Sequence, residues 1–540
     1  MNKTKWMHSW VLFGVLAFLV LSCNIAGIDF DNIEDPTFTP VVVAPIGEVT
    51  YTIKELIEEI NDPSIEIDQA KNQFITIIYR DTSIYNTPQE LINVPDISEQ
   101  KVVEHSLSIT NSPVAVNESF STIISFEYSA ENLEQIDSIM YSSGELLLEF
   151  NSQIKADVEL EVRMIDFENI ETRDTIVLNY NLPYNGSSAV SGSQTQDLSG
   201  YRTKLRMEND LNLFDVEVNA TISLKAGQSI APTDFILATL STTNTSFSAV
   251  IGYFGEDDIV VQDQSIDIEF FKDIEPNGLE FREPEIIVNF QNSFGVPIGI
   301  TLDGLATSND QGDVRILSGD VVLNTQKMRA PGVSDFGETL GSSFSISPEN
   351  SNISELLAIS PTNITLPITA TTNFENTDQE ANFYTDVSQV ETIVEVRMPL
   401  EVKLDGYTQT FDFELDSIDF NDADSVTLRV TTVNQLPFNG TFDLYLLDAD
   451  SIVLHQVPDN LVLQSPELES SSKVEEAITS VEDVTLNADG IVAMNNTSKV
   501  VFVLNVESFD AASGDFVRIY SDYTLVIKLG AIINLNYTLD

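Results

Sequence analysis

The chain is poor in the residues from which most active sites are built. Its 540 residues include one cysteine, three histidines and two tryptophans, and both tryptophans, Trp6 and Trp10, lie close to the N-terminus. A single cysteine excludes an internal disulfide. With so few histidines, it also excludes a zinc site built from Cys and His ligands. The sequence contains no Gly-x-Ser-x-Gly nucleophile elbow either.

Basic residues are scarce as well. The chain has 25 Lys and Arg against 85 Asp and Glu, which gives a formal net charge of −60. Such a surface repels the phosphate backbone, which proteins neutralise with Lys and Arg, so the sequence predicts no nucleic-acid partner. It also repels anionic lipid, so an attachment to a membrane has to come from acyl chains.

The N-terminal residues predict such an attachment. Lys3 and Lys5 precede an apolar run from Val11 to Leu21, a pattern typical of a secretory signal peptide. Cys23 then stands where a bacterial lipobox, which this segment resembles, carries the thiol that is acylated, for example with palmitate. We therefore expect residues 1–22 to be removed and Cys23 to be the lipid anchor. The alternatives are an ordinary signal peptide with an incidental cysteine, or an uncleaved helix, although the run is short for the roughly 20 residues of a span.

Residues 23–45 predict an extended acidic tether, because they lack periodicity and contain several acids and prolines. Acids soon after the anchored cysteine resemble the surface lipoproteins of the Bacteroidota, which implies an outer-membrane location. The acids here begin late, at Asp29. This late start favours the periplasmic face, which is the alternative, while the resemblance makes the cell surface the expected side.

Downstream of the tether, apolar residues recur at every second position. Val158, Leu160, Val162 and Met164 alternate with charged residues, and the same alternation occurs at 266–270, 411–415 and 523–527. This pattern is typical of half-buried antiparallel strands. The predicted fold class is all-β, with tandem antiparallel sandwich-like domains and very few short helices, for which 52–60 and 352–359 are the candidates.

Turn-forming dipeptides punctuate the strands. They are Asn185-Gly186, Asn277-Gly278, Asp303-Gly304, Asp405-Gly406, Asn439-Gly440 and Asp489-Gly490. From length and pattern we expect an N-terminal β region at 46–280 with two subdomains, a middle β domain at 281–420 and a C-terminal β domain at 421–540.

Two segments suggest an internal duplication. Leu160–Met164 and, downstream, Asn181–Gly186 are echoed by Val394–Met398 and Gln435–Gly440, and a related strand end occurs at Asn292–Pro297. Proline stops a strand because it cannot donate to the ladder, and Asn-Gly favours a turn. Convergent turn chemistry is the alternative explanation.

The strand-Asn-x-aromatic-Gly-x-Pro pattern at 292–297 resembles the LEA14-type sandwich, although the Asn-Pro-Asn core of that family is missing. The chain as a whole, including Gly252–Gly255 and Asn350–Asn352, is similar to uncharacterised β-rich outer-membrane lipoproteins of the Bacteroidota. The resemblance implies a location and a fold, and it implies no activity.

No combination of residues predicts catalysis. His105 and His455 are the histidines outside the leader, and we expect both to be surface or strand residues rather than bases. Carboxylates are abundant, but a sugar-binding cleft usually has aromatic platforms. Tyr79, Tyr85 and Tyr253 could serve as platforms, and we expect them to pack on strands instead. A hydrolase is therefore the last of the functions considered.

Calcium is the one cofactor that the composition invites. Oxygen ligands cluster at 309–313, 256–258 and 421–424, but none of these segments matches the EF-hand loop. Asp and Asn also form turns, so we predict no cofactor, with structural calcium as the alternative.

The sequence therefore predicts a non-enzymatic outer-membrane lipoprotein that acts as a scaffold or accessory subunit of a cell-envelope complex. Its partners would be the membrane, through the N-terminal lipid, and other envelope proteins. A surface adhesin or glycan-binding protein, and a carrier of an apolar ligand between β-sheets, are the alternatives. Assigning function from a sandwich fold is an analogy, because such folds serve many roles.

Overall fold

The computed structural model describes residues 37–53, 65–69, 73–85, 95–128, 135–187, 189–268, 271, 278–415, 420, 423–467, 473–508 and 516–538. Strand makes up 62% of the structure and helix 5%, which confirms the predicted all-β class of antiparallel, sandwich-like domains. The predicted leader, Cys23 and the start of the tether lie outside the described residues.

The first strands of the chain are β1 (Thr37–Phe38), β2 (Val41–Thr52), β3 (Ile65–Gln69) and β4 (Ile75–Tyr85). The next ten strands are β5 (Ser98–Val103), β6 (Val116–Tyr128), β7 (Gln135–Ser152), β8 (Asp157–Asn169), β9 (Thr175–Leu182), β10 (Val190–Asp197), β11 (Tyr201–Lys204), β12 (Arg206–Glu208), β13 (Leu211–Leu224) and β14 (Ile236–Tyr253). These ten strands belong to one 11-stranded sheet.

The middle part of the chain contains β15 (Asp258–Asp267), β16 (Leu279–Phe281), β17 (Glu285–Asn292), β18 (Ile298–Thr301), β19 (Ala306–Ser308), β20 (Val314–Ile316), helix α1 (Asp320–Leu323), β21 (Gln326–Met328), a 3-10 turn (Val333–Asp335), β22 (Leu340–Ile346), helix α2 (Ile353–Ala358), β23 (Asn363–Thr372), β24 (Asn382–Thr385) and β25 (Val390–Pro399). Strand β24 pairs with β14 and is the eleventh strand of the large sheet.

The last part contains β26 (Glu401–Glu414), β27 (Ala423–Asn434), β28 (Phe438–Leu447), β29 (Val453–Leu463), β30 (Ile478–Thr485), helix α3 (Ala488–Met494), β31 (Lys499–Ser508), β32 (Val517–Arg518), β33 (Thr524–Leu535) and β34 (Tyr537–Thr538). The short helix α2 confirms the candidate at 352–359, whereas most of the candidate at 52–60 lies outside the described residues.

Alternation of side chains explains why these segments form sheets. In β8 the apolar side chains of Val158, Leu160, Val162 and Met164 are at most 2% exposed, while Glu159 and Arg163 are exposed. The strand therefore has one buried face and one solvated face, as the sequence predicted. Burying one such aliphatic side chain contributes about 1.5–3 kcal/mol, so a shift of the strand by one residue, which would expose this face, is unfavourable.

The middle and C-terminal parts are two copies of one topology. In the middle copy β17 pairs with β22 and β25, while β18 pairs with β21 and β23, and β15 pairs with β23. In the C-terminal copy β27 pairs with β30 and β33, while β28 pairs with β29 and β31, and β26 pairs with β31. A short helix follows β22 and β30 alike. We call these copies the middle repeat and the C-terminal repeat.

Each repeat is closed by a strand from the start of the chain. Strand β4 pairs with β25 of the middle repeat, and β2 pairs with β33 of the C-terminal repeat. The predicted boundaries at 46 and 280 are therefore wrong as sheet boundaries, because β2, β4 and β15 lie in sheets of the two repeats. The boundary predicted at 420 moves to Leu400, where the chain passes from β25 to β26. Likewise, residues 41–45 of the predicted tether are paired strand.

Three of the predicted turns are not turns. Asn439-Gly440 lies inside β28, Asp405-Gly406 forms a bulge in β26, and Asp489-Gly490 lies in helix α3. Gly440 is needed in β28 because a Cβ there would collide with the backbone oxygen of Asn505. At Asn185-Gly186 and Asp303-Gly304 the glycines do lie between strands with positive φ, 92° and 101°.

The duplication differs from the one predicted. Val394 lies in β25 of the middle repeat and Gln435 follows β27 of the C-terminal repeat, so the proposed second copy spans both repeats. The structural equivalents are instead Asn292 and Asn434, which end β17 and β27. Short β motifs recur on strands with different partners, so the order of such motifs along the sequence does not identify equivalent strands.

Candidate functional site

Two buried asparagines hold the same position in the two repeats. Asn292 and Asn434 are both 0% exposed. The Oδ1 atom of each accepts from the backbone N–H two residues later, Phe294 at 2.9 Å and Leu436 at 2.8 Å. This bond shapes the turn between the two sheets, since it replaces the ladder bonds that end at the strand.

The amide nitrogens of these asparagines tie the turn to another strand end. Asn292 Nδ2 donates to the carbonyl of Val296 at 3.4 Å and to that of Arg329, after β21, at 3.0 Å. Asn434 Nδ2 donates to the carbonyls of Phe438 at 3.2 Å and Gln464, after β29, at 2.8 Å. Each asparagine thus bonds to three backbone groups, and it sets where one sheet passes into the other.

The two repeats meet at a junction around Leu400. Leu400 N–H donates to the carbonyl of Ile75, Ile519 N–H donates to that of Leu400, and Ile75 N–H donates to that of Ile519. Three chain segments that are far apart in sequence are therefore hydrogen bonded at one point. We call residues 73–75, 279–282, 399–402 and 517–523 the junction.

A buried carboxylate lies within the junction. The Glu401 side chain is 8% exposed, and it accepts from Arg282 Nη1 at 2.6 Å and from Arg518 Nε at 2.8 Å. The backbone N–H of Arg282 also donates to the carbonyl of Glu401 at 3.0 Å. A carboxylate held by two guanidinium groups is a strong, oriented contact, so it fixes β16, β26 and β32 relative to one another.

A second carboxylate of this kind lies nearby in β25. Glu395, whose side chain is 10% exposed, receives Nε and Nη2 of Arg80 on one oxygen, at 3.0 and 2.8 Å, and Nε and Nη2 of Arg397 on the other, at 2.9 and 2.7 Å. Burial alone would raise the pKa of Glu395, but the bonds from Arg397 and Arg80 outweigh it and lower the pKa. Glu395 and Arg80 therefore lock β4 onto the middle repeat.

Aromatic and cationic side chains complete the junction. The Arg518 guanidinium lies 6.0 Å from the centre of the Phe74 ring, and the Phe74 and Tyr520 rings are 5.8 Å apart, edge to face. Lys473 Nζ lies 5.1 Å from the Tyr520 ring centre and 2.6 Å from Asp522 Oδ2. These contacts attach the start of β4 to the C-terminal repeat.

The large sheet carries its own concentration of charge around Glu168. Lys204, Arg173 and Arg202 contact its carboxylate at 2.6, 2.7 and 3.2 Å. Hydrogen bonds from Lys204 and Arg173 are the main cause that lowers the pKa of Glu168 to about 2. Because all three cations share this acid, the cluster is a structural ion-pair network that joins β8 and β11.

The histidines do not form a catalytic arrangement. His105 is 9% exposed, so it is neither a surface residue nor part of a strand; its Nδ1 accepts from Leu107 N–H at 3.1 Å and its ring lies 5.5 Å from that of Phe120. His455 is in β29 as expected, with its Nε2 buried where a Cβ on Gly490 would lie 3.0 Å away. The two imidazoles therefore serve the packing of two different sheets.

His105 predicts a pH dependence of stability. Burial lowers the pKa of His105, against the opposing charge of Asp234. Below its ordinary value of about 6.5 the unfolded chain binds a proton that the folded chain resists, so stability falls with falling pH. We expect His105→Gln to lose less thermal stability than the wild type between pH 7.5 and 5.5, measured as the shift in Tm. His455→Gln is the control, and identical slopes for His105→Gln and the wild type would contradict the assignment.

The other candidate residues are mostly structural. Tyr79 is 1% exposed and packs in the core, as expected, while the Tyr85 ring packs 6.2 Å from that of Phe294. Asn309 Oδ1 accepts from the N–H groups of Gln311 and Asp313, so this proposed calcium segment is a turn organised by its own side chain. Among the described residues, no three His, Cys, Asp or Glu side chains are grouped so that they could hold a metal ion. The absence of a cofactor stays the prediction, with structural calcium as its alternative.

Sequence reasoning missed Asn434, Glu395 and Glu401. A strand that ends in Asn, followed after one residue by an apolar residue, could have identified Asn434 beside Asn292. The sequence near Glu395 includes its partner Arg397, but the second arginine of Glu395 and both arginines of Glu401 come from distant parts of the chain, so local sequence does not mark either glutamate. Cys23, the predicted anchor, lies outside the described residues. The helices that the structure describes include none with the length and hydropathy of a membrane span.

Among known proteins, the chain is similar to solved structures at low sequence identity. No protein-family model matches the chain, and no curated protein matches it. Among solved structures, a candidate secreted protein from Parabacteroides distasonis is 12% identical with a TM-score of 0.29, over 53% of this chain and 90% of that chain.

Two viral proteins are similar at a lower level. A triple jelly roll protein from the turret of an archaeal virus is 9% identical with a TM-score of 0.10, over 81% of this chain and 89% of that chain. A protein of infectious bursal disease virus, strain Gx, is 10% identical with a TM-score of 0.14, over 88% and 82%. Likenesses at these TM-scores imply neither a shared topology nor a shared function.

Proposed function

We propose that the protein is a non-enzymatic outer-membrane lipoprotein, anchored through Cys23, that serves as a scaffold or accessory subunit of a cell-envelope complex. The observation that carries the proposal is the tandem unit: two repeats joined at a hydrogen-bonded, arginine-clamped junction, each closed by a strand from the N-terminal part of the chain. The cell surface is the proposed side of the membrane.

The junction supports a scaffold because it resists bending. A linker between independent domains has few contacts across it. Here Glu401 binds Arg282 and Arg518, and Leu400 bonds to Ile75 and Ile519. Three other segments of the junction are therefore tied to residues 400–401. A partner bound to one repeat would therefore be held in a fixed orientation relative to the other.

The route from anchor to body is short. From Cys23 to Thr37, where strand pairing begins, an extended chain spans at most about 50 Å. The chain then continues into strand β2, which is paired within the sheet of the C-terminal repeat, so the anchor is connected directly to that sheet. Removal of residues 1–22 takes away Lys3 and Lys5 and no acid, so the mature net charge is −62 and cationic partners are favoured.

The outer face of the β2-β33-β27-β30 sheet is the proposed surface for a protein partner. Register places Val43, Ile532, Thr427 and Thr485 in one row, and Glu48, Lys528, Thr431 and Val481 in another. Val43 is 71% exposed and Val481 53% exposed. Exposed aliphatic side chains beside hydroxyls are typical of surfaces that contact other proteins.

Affinity purification from gently solubilised membranes tests the proposal. We expect the wild-type protein to fractionate with the outer membrane, to carry acyl chains on its N-terminal peptide by mass spectrometry, and to retain the same envelope proteins at constant stoichiometry. Cys23→Ser is the matched control and should lose the acyl chains and the membrane fraction.

Recovery of the protein alone would contradict the scaffold role. Co-purifying polysaccharide or lipid would instead favour an adhesin or a carrier. An intact leader, or a bare N-terminus with the protein free in the medium, would overturn the proposed location.

A further inference from the structure

Strand β2 closes its repeat far less firmly than its equivalent β4. In β4, Ile75, Ile77, Ile78 and Tyr79 are all at most 4% exposed, and the Arg80–Glu395 pair locks the strand in place. In β2 every residue is exposed or half-buried, and its Glu48–Lys528 ion pair has both side chains about half exposed. Exposed ion pairs contribute little. Both strands pair with the last strand of their repeat, but β4 is also paired with β3, whereas β2 lies at the edge of the described sheet with side chains that are only partly buried against the core.

The core next to β2 is strongly apolar. The inward side chains of β33 are at most 3% exposed: Leu525, Ile527, Leu529, Ala531 and Ile533. Two residues of β2 contact β26 of the facing sheet. The Tyr51 ring lies 4.5 Å from that of Phe411, and Gly47 lies against Phe413. If β2 leaves, the rings of Phe411 and Phe413 lose these contacts and the edge of β33 is unpaired, which is the form of surface that captures another strand.

The contacts beside β33 restrict which sequences can occupy the place of β2. A Cβ at residue 47 would lie 2.7 Å from Phe413 Cδ1, so glycine fits there. The register with β33 shifts between Pro45 and Gly47, which places Tyr51 over Phe411. A strand that replaces β2 therefore has to provide a bulge, a glycine and an aromatic residue in this order.

We propose that the edge of β33 is a strand-acceptor site and that residues 41–52 of a second copy of this chain occupy it by exchange. The occupant is identified by fit, since this sequence is the one seated there with its bulge, Gly47 and Tyr51 in register. When two copies exchange an identical strand, each contact within a chain is replaced by the same contact between chains. The exchange therefore costs little in contact energy.

The connection to the rest of the chain has enough reach. Residues 53–64 separate β2 from β3, and an extended chain of this length spans about 40 Å. Strand β2 can therefore pair with another copy while β3 and β4 stay in the middle repeat. This pairing is independent of the proposed envelope role, because it requires the folded chain alone.

Engineered cysteines test the exchange. Glu48 and Lys528 face each other across β2 and β33 on the exposed side. In full-length chains that carry Cys23→Ser, one copy receives Glu48→Cys and another Lys528→Cys. The two are incubated together at 37 °C and then oxidised with diamide. We expect a disulfide-linked dimer at least tenfold above the control pair.

The control pair uses the equivalent strands of the middle repeat. Ile84 and Glu391 face each other across β4 and β25, so Ile84→Cys and Glu391→Cys in separate copies should stay monomeric. Placing Glu48→Cys and Lys528→Cys in one chain should give the intrachain disulfide, which verifies the register. An excess of the synthetic peptide VVVAPIGEVTYT should reduce the dimer.

Three results would overturn the proposal. They are a dimer yield equal to that of the control pair, the same yield when the donor copy also carries Gly47→Val, and no intrachain disulfide in the double variant. Gly47→Val in the donor leaves the acceptor copy unchanged, so a loss of dimer there cannot come from an unfolded acceptor.

Discussion

Replacing Arg80 and Arg397 together by leucine is expected to destabilise the middle repeat by about 3–5 kcal/mol at pH 7, because it leaves the carboxylate of Glu395 buried without a cation. Glu395 is 7% exposed, and both of its oxygens accept from these two guanidinium groups. Hydrogen exchange read by mass spectrometry in the peptides that cover β4 and β25 would measure the effect locally, as faster exchange of their amides.

The pH dependence should reverse in the same variant. In the wild type the pKa of Glu395 is lowered in the fold, so its contribution is present above the unfolded pKa and is lost as the pH falls through the folded pKa. Without the arginines, burial alone acts and raises the pKa, so stability should rise as the pH falls from 7 to 5. An unchanged dependence on pH would contradict the clamp.

A third substitution separates charge from shape. Adding Glu395→Leu to the double variant removes the buried charge, and we expect it to restore most of the lost stability, since apolar replacement of a buried ion pair is often neutral. If the triple variant is as unstable as the double, the arginines act through packing of their stems instead.

Asn434→Asp is expected to cost the C-terminal repeat about 3 kcal/mol, although the two side chains have the same shape. The aspartate keeps an acceptor for Leu436 N–H, but it turns two donated hydrogen bonds into contacts between a buried anion and the carbonyls of Phe438 and Gln464. Thermal unfolding followed by circular dichroism would report the loss as a lower Tm.

Asn439→Asp is the matched control in the same repeat. Asn439 Oδ1 accepts from Ser465 N–H at 2.9 Å, a bond that an aspartate also makes, so the change should cost less than about 0.5 kcal/mol. Asn292→Asp should reproduce the large effect in the middle repeat. Equal costs at Asn434 and Asn439 would show that the donated bonds do not matter.

Several elements could be predicted from sequence because their causes are local. The alternation in β8 and the apolar residues Phe411, Phe413, Tyr523, Leu525 and Ile527 gave strands with the correct buried face. Helix α2 also follows from its own residues, since Ile353, Leu356 and Leu357 recur at helical spacing and are all buried.

The errors have a common physical cause. Asn439-Gly440 has turn chemistry, yet β28 continues through it because the closely packed neighbours at Asn505 and Val506 require a glycine in the strand. His105 has a polar sequence context, yet its ring packs on Phe120. In each case contacts with residues distant in sequence outweighed the local preference.

The sequence by itself determined the β class and the faces of the strands. It also supplied two expectations, that nucleic acid is not a partner and that Cys23 is lipidated. Only the tertiary structure decided which strands are neighbours: that β2 and β4 close the C-terminal and middle repeats, and that Glu401 meets Arg282 and Arg518. The alternation of apolar and polar residues determines which face of a strand is buried. It does not determine which strand is the partner or which of the registers with the same buried face is adopted, because these depend on how well whole faces pack together.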